Sequence, residues 1–305
     1  MNNIKTKTAG CFLGLAIGDA LGTTLEFAWR DEQPELTEIV GGGPFKLEPG
    51  EWTDDTSMAL CLAESLIEKE QFDPRDQLTR YLKWYRTGYN SSNGRCFDIG
   101  YTTLTALEMF EDTDCEYCGS TAPDTAGNGS IMRIAPVIIR YWQNEEELLK
   151  YSALSSKTTH AAKEAVQASQ IMALFIAGMF KGMKRKELFS DEFGNYILSK
   201  IPDLSPKLKI VVNGSYRKII RDRVSSSGYV VDTLEAALWS FYNARFFSEA
   251  IILAVNLARD ADTVGAVTGQ IAGAYWGYNR DMEYFAKKIY EKERFIEMAR
   301  ELAGL

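Results

Sequence analysis

The feature that most constrains the fold of this chain is a pair of segments in which glycine returns at every fourth position. The two series consist of Gly10, Gly14, Gly18 and Gly22, and of Gly265, Gly269, Gly273 and Gly277. A glycine inside a helix costs about 1 kcal/mol relative to alanine, and small residues one helical turn apart allow helix backbones to approach closely. The spacing therefore predicts two buried helices in tight contact, with each other or with neighbours. The alternative is chance placement among 24 glycines.

Apolar residues recur at helical spacing through most of the remaining chain. One example is the stripe of Ala165, Ala168, Met172, Ile176 and Met179, whose steps of three and four are typical of a core-facing helix. Sustained alternation of apolar and polar residues, the pattern of a strand, is scarce. We therefore predict an all-α fold that forms a single domain over residues 1–305.

The composition excludes some classes of function. A hydrophobic content of 46% and a net charge of −8 are ordinary for a soluble protein and argue against a nucleic-acid-binding surface. Lys5 and Lys7 precede an apolar run that resembles a signal peptide, but Asp19 and Glu26 interrupt it early. We find no uncharged segment with the ~20 strongly apolar residues of a spanning helix. We therefore expect a cytoplasmic protein with neither nucleic-acid nor membrane partners.

The five cysteines, an odd number, do not form the pattern of a secreted disulfide framework. Cys115 and Cys118 form a lone C-x-x-C pair. Zinc would need two more ligands, and the chain has a single histidine, His160. We expect ordinary reduced thiols.

Two predicted helix starts each carry two aspartates beside threonine. The residues are Thr53, Asp54, Asp55 and Thr56 in "EWTDDTSMAL", and Asp260, Asp262 and Thr263 in "ARDADTVGAVTGQ". Aspartate and threonine are favoured helix caps, each contributing about 0.5–2 kcal/mol. Capping is therefore the simplest interpretation of either start taken alone.

A cap needs only one side-chain oxygen, however, and crowded carboxylates repel one another unless a cation neutralises them. If the two helix starts face each other, four carboxylates and two or three hydroxyls converge. An all-oxygen site of this kind suits Mg²⁺ or Mn²⁺ better than Ca²⁺ and is a poor site for zinc or copper. Four carboxylates carry enough negative charge for two ions.

Three further segments have both a structural and a functional interpretation. The "GNGS" segment, residues 127–130, offers backbone N–H groups to a pyrophosphate at a helix start, although such a sequence is more often an ordinary turn. His160 precedes a helix predicted from about 161 to 181, where it either caps or packs, or contacts a ligand. Asp98 in "FDIG" is equally a candidate helix cap.

Seven blocks, in order along nearly the whole chain, resemble the ADP-ribosylglycohydrolase family, which includes the glycohydrolase that reactivates ADP-ribosylated dinitrogenase reductase. The blocks are "GCFLGLAIGDALGTTLEF", "WTDDTSMAL", "GRCFDIGYTTLTAL", "GNGSIMRIAPV", "SSKTTHAAKEAVQAS", "SGYVVDTLEAALW" and "LARDADTVGAVTGQIAGA". Each block alone is a weak signal, but seven in the right order are specific.

The resemblance implies a compact orthogonal multi-helix bundle with a binuclear Mg²⁺ or Mn²⁺ centre. The implied metal ligands are Thr53, Asp54, Asp55, Asp260, Asp262 and Thr263. Glu26 would lie beside the metals as a ligand or as a gating carboxylate. The implied ADP-ribose-binding residues are Asp98, Gly100, Thr102, Gly127, Asn128, Gly129, Ser130 and His160, with Tyr229 on the loop over the ribose or adenine. The implied catalytic carboxylates are Glu26, Asp55, Asp98 and Asp260.

The function implied is a metal-dependent hydrolase that releases ADP-ribose from a modified protein, with ADP-ribosylated arginine as the favoured substrate. Three alternatives stay open: cleavage of a serine-linked or O-acyl-ADP-ribose bond, binding of ADP-ribose or of an ADP-ribosylating toxin without hydrolysis, and a purely structural role. One departure bears on substrate preference. Many members carry glycine or an acid before the first aspartate of the closing motif, whereas this chain has Ala258 and Arg259. Arg259 could pair with an outer carboxylate, contact a phosphate or point into solvent.

Overall fold

The computed structural model describes residues 2–305, a range that contains helices and isolated bridges but no β-strand. The all-α prediction is confirmed. The helices are α1 (Asn2–Gly22), α2 (Asp54–Glu68), α3 (Pro74–Thr87), α4 (Tyr101–Thr113), α5 (Ala135–Tyr141), α6 (Glu145–Lys157), α7 (Lys163–Phe180), α8 (Arg185–Leu188), α9 (Asp191–Lys200), α10 (Pro206–Val212), α11 (Val230–Asn243), α12 (Phe247–Val255), α13 (Ala261–Trp276), α14 (Arg280–Ala286) and α15 (Lys292–Leu302).

The two glycine series lie on α1 and at α13, and these two helices pack against each other in antiparallel orientation. The facing pairs are Gly10 with Gly273, Gly14 with Gly269, and Gly18 with Gly265. A Cβ atom built on any of these glycines would overlap the backbone of the opposite helix. The predicted close contact is confirmed, and the structure decides that the two glycine helices contact each other. We call this contact the glycine seam.

The seam is the centre of one continuous hydrophobic core. Helices α7, α11 and α12 pack on α13, while α2 and α15 pack on α1. Aromatic side chains fill the space beside α1, where Phe12 and Trp52 both meet the ring of Phe295 edge-on, with ring centroids 5.3 and 5.4 Å apart. Along the seam, the end of α1 at Gly22 lies against the start of α13 at Ala261.

One helical segment of the described chain, Asn3–Leu25, is long and apolar enough to cross a membrane by length and composition alone. The mean hydropathy of its most apolar 18-residue window is 1.3, and the segment includes the charged residues Lys5, Lys7 and Asp19. The share of its apolar window that is buried inside the fold is 94%. This is the environment of a core helix.

Cys115 and Cys118 form a disulfide in the turn after α4, so the expectation of reduced thiols is wrong for this pair. The turn places their Cα atoms 5.7 Å apart, a separation that a disulfide spans readily. Cys11, Cys61 and Cys96 are free, as expected. With both sulfur atoms bonded to each other, the C-x-x-C pair offers no thiolate to zinc.

Candidate active site

The starts of α2 and α13 face each other beside a cleft of about 620 Å³. The hydroxyl of Thr263 donates to Oδ2 of Asp55 over 3.3 Å and so links one helix start to the other. Carboxylate oxygens of Glu26, Asp260 and Asp262 lie within 4.8 Å of one another. The structure therefore brings the acids of both motifs together in one cluster.

An acid from the glycine seam caps α2, which is a role that we did not assign from the sequence. The carboxylate of Asp19 accepts hydrogen bonds from the backbone N–H groups of Thr53 at 3.0 Å and Thr56 at 3.1 Å, and from both of their hydroxyls at 2.9 and 2.6 Å. Asp19 is fully buried. Its sequence signal was an acid within an otherwise apolar glycine helix. Because Asp19 occupies these amides, Asp54 and Asp55 are not needed as caps.

Glu26 caps α13 in the same way, from outside the helix. Its Oε2 accepts from the amides of Ala261 at 2.8 Å and Asp262 at 3.4 Å. Backbone pairing of Phe27 N–H with the Arg259 carbonyl at 2.7 Å holds this segment beside the helix start. Burial and the neighbouring Asp262 raise the pKa of Glu26 far above its ordinary range. Glu26 thus lies beside the acid cluster with one oxygen already engaged.

Two carboxylate oxygens of the cluster are completely buried and have no hydrogen-bond partner among the described residues: Oδ1 of Asp55 and Oδ2 of Asp262. A buried polar atom without a partner is costly, and a buried anionic one is more so. The hydroxyls of Thr53 and Thr263 donate their protons to carboxylates, which leaves oxygen lone pairs available. Unpartnered carboxylate oxygens beside hydroxyl oxygens are a donor set that fits hard divalent cations.

The acidic side chains around these oxygen atoms have strongly raised pKa values. Burial, reinforced by neighbouring carboxylates, raises the pKa of Asp54 and Asp55 well above the ordinary value. The same causes, burial first, raise the pKa of Asp19 and Asp260 to about 7 and that of Asp98 to about 11. The cluster therefore favours any bound positive charge, whether supplied by protons or by a cation.

Asn128, at the middle of the GNGS segment, fixes one member of the cluster. Its Nδ2 donates to Oδ2 of Asp260 at 2.7 Å and to the hydroxyl of Thr233 at 2.9 Å. The two glycines of the segment line the cleft, but Ser130 does not. The hydroxyl of Ser130 instead accepts from Ser169 on α7 at 3.2 Å.

His160 and Asp98 are not helix caps. The residue before α7 is Ala162 and the residue before α4 is Gly100, and neither helix start has a side-chain cap. His160 lies buried at the cleft, with its Nδ1 2.8 Å from the hydroxyl of Thr159. Burial lowers the pKa of His160 to about 3, so the ring is neutral at physiological pH. Asp98 lies at the cleft in the left-handed backbone region, with φ of 59°.

Tyr229 lies on the predicted loop, but its side chain does not line the cleft. Its hydroxyl is hydrogen-bonded to Glu164, and the Lys207 amine lies 4.5 Å from its ring centroid. Ser227 and Gly228 of the same loop line the cleft in its place.

Most of the residues proposed from the sequence line the cleft, and four do not. Those that line it are Glu26, Asp54, Asp98, Gly100, Thr102, Gly127, Asn128, Gly129, His160, Asp260, Asp262 and Thr263. Those that do not are Thr53, Asp55, Ser130 and Tyr229. Thr53 and Asp55 are buried on either side of the lining residue Asp54. The Thr53 hydroxyl donates to the buried Asp19, and Asp55 accepts from the lining residue Thr263.

The rim of the cleft is aromatic, which we did not infer from the sequence. Phe27, Trp29 and Tyr101 are 64%, 62% and 81% exposed and line the mouth. The Arg259 guanidinium lies 4.2 Å from the ring centroid of Trp29 and forms no salt bridge within the described chain. Arg259 is thus an exposed cation stacked on an exposed ring, and the alternative of a pair with an outer carboxylate is not observed among the described residues.

A family model described as ADP-ribosylglycohydrolase matches residues 1–305 of the chain. The chain is similar to a protein of Serratia proteamaculans described as ADP-ribosylarginine hydrolase Tri1, with 44% identity over 97% of this chain and 78% of the relative. It is also similar to the ADP-ribosyl-[dinitrogen reductase] glycohydrolase of Rhodospirillum rubrum, with 29% identity over 99% of this chain and 98% of the relative.

A solved structure described as an ADP-ribosylglycohydrolase-related protein complex superposes on the whole chain. The match has a TM-score of 0.87 and 39% sequence identity, and it covers 100% of this chain and 99% of the other. The helical architecture is therefore shared along the full length.

Proposed function

The chain belongs to the ADP-ribosylglycohydrolase family, and from that membership we propose that it hydrolyses the N-glycosidic bond of ADP-ribosylated arginine in a protein and releases ADP-ribose. The observation that supports this proposal is the acid cluster at the cleft, with its unpartnered oxygens on Asp55 and Asp262. The linkage is proposed from the 44% identity to a relative described as an ADP-ribosylarginine hydrolase.

The residues that would hold two Mg²⁺ or Mn²⁺ ions are Thr53, Asp54, Asp55, Asp260, Asp262 and Thr263. When bound, such ions supply Lewis acidity and lower the pKa of water at the site. The choice between Mg²⁺ and Mn²⁺ is part of the proposal, since oxygen ligands suit both.

The protein's own groups have complementary tasks. Glycosidic cleavage passes through an oxocarbenium-like state, whose positive charge is stabilised by the cleft carboxyl groups in their ionised form, which a bound cation would favour over the protonated form. Glu26, Asp98 and Asp260 line the cleft and are placed for this role. Asn128 holds Asp260 in position through its 2.7 Å hydrogen bond.

The GNGS segment offers fewer backbone donors than its sequence suggests. The amide of Gly127 donates to the Thr125 carbonyl at 2.8 Å, and that of Asn128 donates to the Gly228 carbonyl at 3.1 Å. We therefore assign the remaining cleft-lining amide of the segment, at Gly129, to the diphosphate.

The test is release of free ADP-ribose from an arginine-ADP-ribosylated protein, followed by mass spectrometry with Mg²⁺, with Mn²⁺ and with EDTA. We expect release that requires the metal. Asp55→Ala and Asp262→Ala should each lower turnover by at least about 100-fold, because each removes a carboxylate of the cluster.

Asp203→Ala is the matched control, because this side chain is 92% exposed and does not line the cleft. Circular dichroism checks that each variant keeps its helices. Metal-independent release, or near-normal turnover in either cluster variant, would contradict the proposal. A serine-linked substrate assayed in parallel separates the two linkages.

A further inference from the structure

We propose that Arg133 and Thr159 are positioning residues that hold His160 in a single neutral tautomer, with its proton on Nε2 and directed at the cleft. The inference deepens the proposed function and rests on it in one respect, namely that the ligand of His160 is an oxygen of ADP-ribose. The tautomer itself is a property of the protein alone.

Arg133 is a buried cation without a counter-ion. Its side chain is fully buried and forms no salt bridge within the described residues. Its Nη1 donates to the Gly129 carbonyl at 2.8 Å, and its Nη2 donates to the Thr159 hydroxyl at 2.6 Å. The guanidinium carbon also lies 4.7 Å from the ring centroid of Tyr81. Burying an unpaired charge is costly, and in this protein the buried guanidinium joins Gly129 to Thr159.

The direction of the hydrogen bonds follows from which atoms can donate. Arginine has donors only, so in its bond with Arg133 the Thr159 hydroxyl oxygen accepts. The hydroxyl proton of Thr159 then needs its own acceptor. Within hydrogen-bond distance, the described residues offer one other partner, Nδ1 of His160 at 2.8 Å. Nδ1 must therefore accept, and an accepting Nδ1 carries no proton.

A neutral imidazole without a proton on Nδ1 carries it on Nε2. The ring is neutral because burial, and secondarily the charge of Arg133, depress the pKa of His160 to about 3. Both nitrogen atoms are thus assigned from geometry, with one acceptor bonded to Thr159 and one donor.

The donor nitrogen, Nε2 of His160, faces the cleft. A Cβ atom on Gly129 would lie 2.6 Å from Cε1 and 3.0 Å from Nε2 of His160, so the ring fits only beneath a glycine. Arg133 holds the same glycine through its carbonyl. Nε2 has no hydrogen-bond partner in the described part of the protein, and His160 lines the cleft. A donor so placed suits a phosphate or ribose oxygen of ADP-ribose.

The chain contains one histidine, so ¹⁵N-histidine labelling followed by a long-range ¹H–¹⁵N correlation reports on His160 alone. For the wild-type protein we expect one protonated nitrogen, Nε2, and one unprotonated nitrogen, Nδ1, unchanged between pH 5.5 and 8. Adding ADP-ribose should shift Nε2 more than Nδ1. A protonated Nδ1 in the wild-type protein, or averaged signals from two tautomers, would overturn the proposal without any variant.

Thr159→Val removes the hydroxyl and keeps the side-chain shape. We expect the two nitrogen signals to move toward a mixture of tautomers, with ADP-ribose binding about 5- to 10-fold weaker. Thr158→Val is the matched control, because that hydroxyl also accepts from Arg133, at 3.3 Å, but forms no hydrogen bond with His160. Its spectrum should match that of the wild type.

Arg133→Lys tests the guanidinium itself, since an ammonium group cannot hold Gly129 and Thr159 together in the same fork. It should weaken ADP-ribose binding and shift the two nitrogen signals of His160 toward those of a mixture of both neutral tautomers. An unchanged spectrum in Thr159→Val would refute the role of Thr159. A correct tautomer combined with no ADP-ribose release from any substrate would refute the proposed hydrolysis and leave the positioning intact.

Discussion

At the scale of single residues, the acidic side chains at the starts of α2 and α13 divide into two groups with different roles. Asp19 and Glu26 satisfy the free amides at the starts of α2 and α13. Asp55 and Asp262, which occupy the first turns of those helices, keep oxygens without partners. Because the capping is done from outside each helix, the acids within the motifs remain available for ligands.

Asp19→Ala should therefore cost more stability than the loss of an ordinary cap. It leaves the amides of Thr53 and Thr56 buried and unpaired, for which we expect about 3 kcal/mol of lost unfolding free energy. Asp73→Ala is the matched control, because Asp73 caps α3 through one local bond to the Asp76 amide at 2.9 Å, worth about 1 kcal/mol. Urea unfolding followed by circular dichroism measures both. Equal losses would show that the remote cap is no stronger than the local one.

At the scale of helices, the glycine seam explains why the two motifs meet. Gly22, at the end of α1, lies against the backbone of Ala261 at the start of α13. Glu26 follows α1 within one turn of this contact and reaches the Ala261 amide. The close approach of the two helices is therefore the reason that Glu26 and Asp262, 236 positions apart, share one site.

Gly14→Ala should destabilise the protein by about 1–3 kcal/mol, because the added methyl group would overlap the Gly269 backbone, which cannot move without separating the helices. Gly178→Ala on α7 is the control. There a Cβ would meet the Met183 sulfur at 2.9 Å, a flexible side-chain atom that can shift. Thermal and urea unfolding of both variants compare the two effects. A seam variant as stable as the control would contradict this account of the helix contact.

At the scale of the whole molecule, the acid cluster makes stability depend on cations. The raised pKa values of Asp19, Asp98 and Asp260 mean that the metal-free native state binds protons that the unfolded chain has already released. Stability from these groups is highest at low pH and falls as pH rises through the native pKa values. His160 acts in the opposite sense, but its contribution is complete above its ordinary pKa of about 6.5.

Between pH 6.5 and 8, the metal-free protein should therefore lose at least about 1.4 kcal/mol of unfolding free energy per pH unit, which is the contribution of one retained proton. Saturating Mg²⁺ should raise stability and flatten this dependence, because the ion replaces the protons. Urea midpoints at several pH values, in EDTA and in Mg²⁺, give both slopes. Asp98→Asn should reduce the slope in EDTA. Stability that rises with pH in EDTA, or the same slope with and without Mg²⁺, would rule out this interpretation.

Patterns that repeat along the chain were enough to predict the helical fold and the close-packed glycine helices. Periodicity and the steric size of glycine are local properties, so they can be recognised without knowing what faces each helix. The order of the motifs likewise indicated the family and the residue types at the cleft. The catalytic and ligand roles assigned to these residues remain predictions.

Tertiary structure alone decided which residues complete the site. Asp19 was visible only as an interruption of an apolar run, and Arg133 carried no signal at all, because their partners lie on other helices. Tyr229 and Ser130 belong to the right segments but direct their side chains away from the cleft. By itself the sequence determined helix faces and the chemistry of each motif. Capping, side-chain direction and the tautomer of His160 depend on contacts between distant segments, which exist only once the helices have packed.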